Sequence, residues 1–425
     1  MQQGQAVVRS KRYGSFTRLA SLSVVWQIIN MATPLAYAWV ILRRGGAQVY
    51  GSYSTVFAIV AVAMCVSEFG YQSHGIRKMA ESETVDKAKT FSTIVCAKLL
   101  LCVVIFPVYV IASYFVLKGQ ASIAIMATAY SYLIGQAISP LWHLYAEGKL
   151  GGALYITGIT RLVGMAVLFY TTRDGVDLFW VVSNNALTNL TVGMALLWYS
   201  YGLLGKNFAA VSFAEIRNSL VESFPLFVSN AGVALYTSLN VIAVNVILGS
   251  VAAGYFSIAE RVVKSAQSVF SGLSASALAL KARQAPASKE EFSNANVLLL
   301  QGVLLGITTV IIIGFSGSIV TILGASPSSA QLVAQLLRIY SVVLLIGGMS
   351  SALNAQILIA AGRYSNIARV VGAAGILNII MIFTLTKILG VHGAVFSVVM
   401  VEAFILLATI YMTTRMGGPL KQAVS

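Results

Sequence analysis

The sequence predicts an all-α polytopic membrane protein with about 12 transmembrane helices, in two pseudo-symmetric six-helix bundles around a central cavity. Three observations lead to this fold class. Of the 425 residues, 58% are hydrophobic and only 10% are charged, whereas soluble proteins carry roughly 25% charged residues. The mean hydropathy is +0.84. Apolar runs long enough to cross a bilayer recur along the whole chain, and parts of the first half resemble parts of the second.

The first six predicted helices are apolar runs that end at charged or glycine-containing breaks. Short breaks such as Arg43-Arg44 and Glu147-Gly148-Lys149 separate them. They cover residues 19–42, 47–73, 91–117, 121–146, 150–172 and 178–201. We expect residues 1–201 to form the N-terminal six-helix bundle.

A polar segment, residues 202–218, comes next and is expected to be a cytoplasmic linker between the bundles. The second six predicted helices follow the same rule of apolar runs between polar breaks. They cover residues 220–248, 251–280, 295–324, 330–361, 364–388 and 391–414. Residues 219–425 are therefore expected to form the C-terminal six-helix bundle.

Two pairs of segments repeat between helices that are six apart in the chain. Residues 46–54 at the start of the second helix resemble residues 249–257 at the start of the eighth. Gly148-Lys149 opens the fifth helix and Gly362-Arg363 opens the eleventh. Duplicated bundles are common in transporters, so the repeats predict two halves of the same topology, related by an axis along the membrane normal.

Lys and Arg are distributed unequally across the predicted membrane. The side that carries both termini holds 18 of the 28 Lys and Arg, the other side holds 5, and 5 fall inside predicted helices. Because cytoplasmic loops carry the excess of basic residues, both termini are predicted to be cytoplasmic.

Several basic residues lie inside predicted helices, where an ionisable group is costly and usually faces a bundle interior or a wet cavity. Arg161 lies about 12 residues into its helix, or about 18 Å, close to the bilayer midplane. Polar residues of the eighth helix recur at three- and four-residue steps and so share one face. On that face Glu260 and Lys264 form an i, i+4 pair, which leaves Arg261 as the less committed cation.

The first helix carries a milder polar stripe, which includes Gln27 and Asn30. The candidate substrate-binding residues are therefore the in-helix cations and these two amides: Arg161, Arg261, Lys264, Arg338, Gln27 and Asn30. The alternative interpretation is that such residues only join helices through hydrogen bonds and ion pairs. A net-positive cavity between two bundles suits an anion, and the forked guanidinium of Arg suits phosphate.

Two further pairs of residues are assigned roles in transport. Glu68 and Glu402 are deep carboxylates and are candidates for ion coupling. Pro34 and Pro225 interrupt the hydrogen bonding of their helices and are candidate hinges.

Short motifs at the second helix and at the junction of the fourth and fifth carry a family resemblance. They are Gly51-Ser52-Tyr53-Ser54, Glu68-Phe69-Gly70-Tyr71, Gly75-Ile76-Arg77, Pro140-Leu141-Trp142 and Glu147-Gly148-Lys149. With the helix layout, they resemble the polysaccharide transporter family of lipid-linked oligosaccharide flippases, in the multidrug/oligosaccharidyl-lipid/polysaccharide exporter superfamily. Glu68 stands where Asp is expected, and the carboxylate is kept.

The resemblance implies an undecaprenyl-pyrophosphate-linked glycan as substrate, moved by alternating access from the cytoplasmic to the periplasmic leaflet of a bacterial inner membrane. It implies a role in the synthesis of O-antigen, capsule or exopolysaccharide. Polysaccharide polymerase and chain-length regulator proteins are the expected partners, together with membrane lipids. No cofactor, metal or nucleic acid is expected.

Three alternatives are weighed against this function. A multidrug exporter of the same superfamily usually carries organic cations, which a net-positive cavity would repel. A lipid II flippase typically has fourteen helices, for which this chain is too short. A membrane-embedded polysaccharide polymerase should present paired acids or a large external loop, and the chain has only three aspartates, Asp86, Asp174 and Asp177.

Overall fold

The computed structural model describes residues 2–81, 84–119, 122–205, 207–281, 294–359 and 364–415. Within these ranges the regular elements are all helices: α1 Gln2–Glu68, α2 Tyr71–Glu81, α3 Thr84–Leu117, α4 Ile123–Ile138, α5 Leu141–Ala146, α6 Leu150–Thr171, α7 Leu178–Leu203, α8 Phe213–Leu248, α9 Ser250–Lys281, α10 Asn294–Gly314, α11 Ser316–Ile322, α12 Pro327–Leu353, a π-helical segment Asn354–Ile359, and α13 Tyr364–Arg415.

The described helices include five apolar segments that are long enough to cross a membrane, and the bent pair α10 and α11 gives a sixth. Two of the five, Met31–Met79 and Arg369–Thr414, have 49 and 46 residues, about twice the length of one crossing. Each continuous helix that they include has a glycine with non-helical backbone, Gly46 in α1 and Gly390 in α13. Each therefore holds two spans, which brings the apolar crossings to about eight.

The remaining spans are α4 with α5, α7, α8 and α9. The last three have 26, 36 and 32 residues, and at 1.5 Å per residue each is long enough to cross. In α7 and α9, polar side chains lower the average hydropathy. The prediction of about 12 spans in two six-helix bundles is confirmed.

The predicted repeat is visible in the backbone. Gly46 has φ +73° and Gly249 has φ +87°, a left-handed conformation that favours glycine. Each of these glycines lies at the turn between the first two spans of its half. The two turns therefore lie at equivalent positions of the two halves and at the same end of the helices. We call this end of the protein the Gly46 face.

Several predicted helix boundaries are corrected. The predicted second helix ends at Glu68 rather than at residue 73, and a turn through Phe69 and Gly70, both with positive φ, starts the separate helix α2. The predicted fourth helix breaks before Leu141, at Pro140, which lacks an N–H for the helical ladder. The predicted ninth helix bends by 70° between α10 and α11.

The polar segment predicted as the linker is partly helical. Helix α8 begins at Phe213, earlier than the predicted residue 220. Ser212 caps it, because its Oγ accepts from Glu215 N while the Glu215 side chain accepts from Ser212 N. The linker boundaries themselves stay a prediction.

On the Gly46 face the bundles meet through a close backbone contact between α1 and α9. A Cβ atom added at Gly51 would lie 1.7 Å from Ser250 O, and one added at Gly254 would lie 2.2 Å from Ala47 O. The two glycines are equivalent positions of the repeat, so the contact is nearly symmetric. Only glycine allows the backbones to approach so closely.

On the opposite face, which carries α2, the bundles meet through side chains. Lys78 Nζ lies 2.8 Å from Glu222 Oε2, and Lys89 Nζ lies 2.5 Å from Glu215 Oε1. The Phe69 ring stacks on Phe227 with centroids 4.4 Å apart. The two interfaces between the bundles therefore differ in chemistry, with backbone packing on one face and ion pairs with rings on the other.

Candidate functional site

A cavity of about 300 Å³ lies in the interior, between helices of the two bundles. Helices α1, α4, α6 and α7 of the N-terminal half form most of its wall, and α9 of the C-terminal half contributes a single described residue. The lining residues are Thr33, Pro34, Tyr37, Tyr53, Phe57, Val60, Ala61, Met64, Tyr132, Arg161, Asn185, Thr188, Asn189 and Arg261.

Arg161 extends into this cavity from α6. Its Nη1 atom is buried and has no hydrogen-bond partner among the described residues. Its electrostatic neighbours are Tyr37 and Tyr132, both neutral phenols. A guanidinium placed in this way is available to an anionic ligand.

Arg261 reaches the same cavity from α9. Tyr50, Tyr53 and Glu260 are its electrostatic neighbours. The predicted pairing of Glu260 with Lys264 is confirmed, since Lys264 Nζ lies 2.6 Å from Glu260 Oε1. The carboxylate next to Arg261 is therefore already engaged by Lys264.

Lys264 and Arg338 are not among the described residues that line the cavity. The Arg338 side chain is exposed, and its Nε donates to Ser316 Oγ at 2.8 Å, at the start of α11, so substrate binding by Arg338 stays a prediction without support from this cavity. The sequence gives its depth along α12, and the rotation of α12 in the bundle turns it away from the cavity.

The remaining candidates are placed as follows. The side chains of Gln27 and Asn30 lie outside the described part of the chain. Pro34 lines the cavity, and Pro225 lies inside α8 with an exposed side chain. Ligand binding by the amides and hinge motion at the prolines stay predictions.

The two candidate coupling carboxylates have different surroundings. Glu68 Oε2 lies 2.8 Å from Lys98 Nζ, and the Lys98 side chain is only 2% exposed. Glu402 on α13 lies near α12 and α9: a Cβ added at Gly347 would lie 3.1 Å from Glu402 Oε2 and 2.7 Å from Gln267 Nε2. Glu68 is thus tied to a buried cation, and Glu402 lies inside the C-terminal half.

Helix α7 carries a polar row that was not predicted from the sequence. Asn185 and Asn189 line the cavity, with Thr188 between them. The signal was present, because these residues follow one another at three- and four-residue steps in the predicted sixth helix. The aromatic residues Tyr53, Phe57 and Tyr132 were missed as well, since buried aromatic rings are frequent in any apolar helix.

The charge of the cavity follows from its lining. Two guanidinium groups face it, and no carboxylate is among the described residues that line it. The effective dielectric constant inside a protein is lower than that of water, so these charges attract an anion more strongly than they would in water. The cavity is therefore suited to an anionic group.

The fold and this cavity define a polytopic membrane protein with two six-helix bundles and a central cationic site. Residues 16–279 match the family described as polysaccharide biosynthesis protein, and the chain belongs to this family. The family resemblance drawn from the sequence motifs is confirmed.

Two named relatives match this chain along most of their own length. The chain is 23% identical over 396 residues to a protein of Escherichia coli (strain K12) named "Putative O-antigen transporter", with 88% of this chain and 91% of that protein covered. A protein of Shigella dysenteriae with the same name is 23% identical over 369 residues, covering 85% of this chain and 90% of the relative.

Solved structures share the fold. The lipid II flippase MurJ in an inward closed conformation superposes with a TM-score of 0.76 and 13% identity, covering 92% of this chain and 87% of MurJ. An inward-facing multidrug resistance MATE family transporter superposes with a TM-score of 0.68 and 14% identity, covering 94% and 99%. The chain therefore has the fold of the superfamily that contains both.

Proposed function

We propose that this protein is a flippase that moves an undecaprenyl-pyrophosphate-linked oligosaccharide from the cytoplasmic to the periplasmic leaflet, for surface polysaccharide synthesis. One observation carries the proposal. Arg161 from the N-terminal half and Arg261 from the C-terminal half line one cavity that has no carboxylate among its described lining residues. A pyrophosphate offers several oxygens, so each half can hold part of it.

Alternating access follows from this division of the site. When the two bundles rock against each other, an anion held between Arg161 and Arg261 becomes exposed first on one side and then on the other. The apolar prenyl tail remains in lipid, and the sugars cross through the wet interior. The names of the two relatives support a glycan as cargo.

The proposal includes an orientation and a setting. The face that carries α2 holds the excess of Lys and Arg and is assigned to the cytoplasm, with both termini, in a bacterial inner membrane. The protein binds and moves its substrate without changing it chemically, so we propose no enzymatic activity. A polysaccharide polymerase and a chain-length regulator are the proposed partners.

Glu68 and Glu402 are the residues proposed for energy coupling. Glu68 is paired with the buried Lys98, so its protonation would break that pair. Glu402 lies among helices α9, α12 and α13, where protonation or cation binding would change helix packing. Pro34, at the wall of the cavity, and Pro225 in α8 are the proposed hinges.

A multidrug exporter is the second candidate, because MATE transporters have the same fold. Organic cations bind to acidic or uncharged aromatic sites. The two guanidinium groups in this cavity would repel an organic cation. The cavity favours an anionic substrate.

The test replaces each cavity arginine with alanine and uses Arg338→Ala as the matched control, since Arg338 is an arginine within a span but outside the cavity. Each lost charge-assisted hydrogen bond costs about 1.5–3 kcal/mol, so we expect about 10- to 100-fold lower export in Arg161→Ala and Arg261→Ala. Export is measured as surface glycan in a strain that lacks its own flippase, at equal protein abundance.

Binding is measured in parallel, as the shift in thermal unfolding that inorganic pyrophosphate produces in the purified protein. We expect a stabilised wild type and Arg338→Ala variant, and no stabilisation of the two cavity variants. Normal export by both cavity variants would contradict the proposal. Equal loss in the Arg338→Ala variant would show that the effect is not specific to the cavity.

A further inference from the structure

One wall of the cavity has a chemistry that phosphate binding does not use. We call it the α7 wall and define it by Asn185 and Asn189 of α7 together with the rings of Tyr53, Phe57 and Tyr132. All five residues line the cavity, and all five belong to the N-terminal half. None of them carries a charge, so a function other than anion binding has to be assigned to them.

Both amides are fixed in orientation by the protein. Asn185 Nδ2 donates to Tyr53 Oη at 2.7 Å, and Asn189 Nδ2 donates to the main-chain oxygen of Tyr132 at 3.0 Å. Neither amide oxygen accepts a hydrogen bond from another described residue. Neither oxygen is among the fully buried polar atoms that lack a partner, so both remain open to the cavity. The two oxygens are therefore accessible acceptors that can take hydrogen bonds from a ligand.

The three rings form a corner beside these acceptors. The centroids of Tyr53 and Phe57 are 4.8 Å apart with an interplanar angle of 54°, and those of Phe57 and Tyr132 are 5.2 Å apart at 73°. The negative face of an aromatic ring attracts polarised C–H groups. Asn185 and Asn189 are four residues apart, about 6 Å along the helix axis, so one ligand can reach both.

The combination selects a class of ligand. Acceptor oxygens repel phosphate and attract hydroxyl donors, and ring faces attract the C–H side of a sugar ring. An organic cation would be drawn to a carboxylate, and the described lining has none. A neutral hydroxylated ring satisfies both features of the wall.

We propose that the α7 wall is the sugar-recognition surface of the transporter, and that Asn185 and Asn189 determine which glycan is accepted. The inference rests on the proposed function, in which Arg161 and Arg261 hold the phosphate. A site built to hydrogen-bond a substrate hydroxyl discriminates against substrates that place that hydroxyl elsewhere, because its polar groups are then left without partners. The arginines bind the phosphate group that every cargo carries, and the α7 wall determines how well each glycan is transported relative to the others.

The first test compares two lipid-linked glycans of different sugar composition, each made in a host without its own flippase. Asn185→Leu and Asn189→Leu remove the acceptors, and Thr191→Leu is the control, because Thr191 is exposed on another face of α7. We expect each amide variant to change the ratio of the two exports by up to about tenfold. We expect Thr191→Leu to leave the ratio unchanged and Arg161→Ala to lower both exports by the same factor.

The ratio is independent of protein abundance, because both glycans are exported by the same variant. Equal reduction of both exports by Asn185→Leu and Asn189→Leu would overturn the inference, since it would show a structural role. It would leave the proposed function intact as long as Arg161→Ala still lowers both exports by the same factor.

The second test measures thermal stabilisation of the purified wild type by neutral monosaccharides and by inorganic pyrophosphate. We expect both kinds of probe to stabilise the wild type, and the amide variants to lose only the response to sugars. Stabilisation by pyrophosphate and by none of the sugars of the exported glycan would overturn this inference alone. Stabilisation by neither probe would overturn the proposed function and this inference together.

Discussion

At the scale of single residues, the five in-span cations have different roles that their positions in the sequence do not reveal. Lys98 is matched by Glu68 and Lys264 by Glu260, while Arg338 is directed outward. Only Arg161 and Arg261 line the cavity. For Lys98 the cause is pairing, because an ion pair with a buried ammonium neutralises its own field and leaves little attraction for a ligand.

The pair of Lys98 and Glu68 leads to a prediction about stability. Glu68→Gln leaves the Lys98 ammonium, which is only 2% exposed, without its charged partner, and breaking a buried pair on one side costs about 3–5 kcal/mol. We expect a clear drop in the thermal unfolding temperature in detergent. The double variant Lys98→Met, Glu68→Gln should recover most of the loss, because no charge is then left unpaired.

Glu147→Gln is the matched control, since Glu147 pairs with Lys87 at 2.8 Å but the Lys87 side chain is 27% exposed. A surface pair contributes about 0.2–1 kcal/mol, so the control should change the unfolding temperature little. Equal effects of the two glutamate variants would show that the Lys98 pair is not isolated from water.

At the scale of helices, the contact of α1 with α9 depends on two glycines. A methyl group at Gly51 or at Gly254 would overlap backbone oxygen atoms of the opposite helix, and backbone cannot move aside as a side chain can. We expect Gly51→Ala and Gly254→Ala to separate the bundles on the Gly46 face. Their effects should be similar, because the two positions are equivalent in the repeat.

The measurement is the distance between spin labels placed on the two bundles at the Gly46 face, in the wild type and in each variant. Gly306→Ala is the control, because a Cβ at Gly306 meets no atom within 4 Å, and Ala favours the helix by about 1 kcal/mol. Unchanged distances in both Gly51→Ala and Gly254→Ala would contradict the close contact as the element that closes this face.

At the scale of the whole molecule, the two interfaces between the bundles respond differently to solution conditions. The contact of α1 with α9 at the Gly46 face is made by backbone atoms, whereas the face with α2 depends on ion pairs, and salt screens such pairs with a Debye length of about 8 Å at physiological ionic strength. The hydrogen bond from Lys89 lowers the pKa of the Glu215 carboxyl below its ordinary value of 4.5. Only the face with α2 should therefore loosen in acid.

The pH prediction follows from the direction of that shift. A lowered pKa means that Glu215 stabilises the contact above its ordinary pKa and loses this contribution as the pH falls below about 4.5. We expect spin-label distances across the face with α2 to stay constant from neutral to mildly acidic pH and to lengthen below that value. In Glu215→Gln, the distances should be longer already at neutral pH and should change less in acid, while Gln keeps the cap of α8.

Glu147→Gln is the matched control, because Glu147 also has a pKa lowered by a lysine, Lys87, but within the N-terminal half. Its distances across the face with α2 should equal those of the wild type. The neighbouring pair of Lys78 with Glu222, with His74 at 3.8 Å, remains in both variants, so any acid response that survives in Glu215→Gln is assigned to that group. Acid-induced lengthening at the Gly46 face instead would contradict the assignment.

The sequence by itself determined the class of protein, the number of spans, the repeat and most of the breaks between helices. These features are local: apolar length, a glycine or proline at a turn, and charge at a loop are readable within about 20 residues. The sequence also identified Arg161 and Arg261 as cations at membrane depth. A charged residue inside an apolar run can be recognised without knowing how the helices pack.

Only the tertiary structure decided which of the deep charges face the cavity. Periodicity shows that residues share one face of a helix, but the neighbour of that face depends on how each helix is rotated and which helix packs beside it. For this reason the outward position of Arg338, the pairing of Lys98 with Glu68, and the approach of Asn185 and Asn189 to Tyr53 and Tyr132 required the packed molecule.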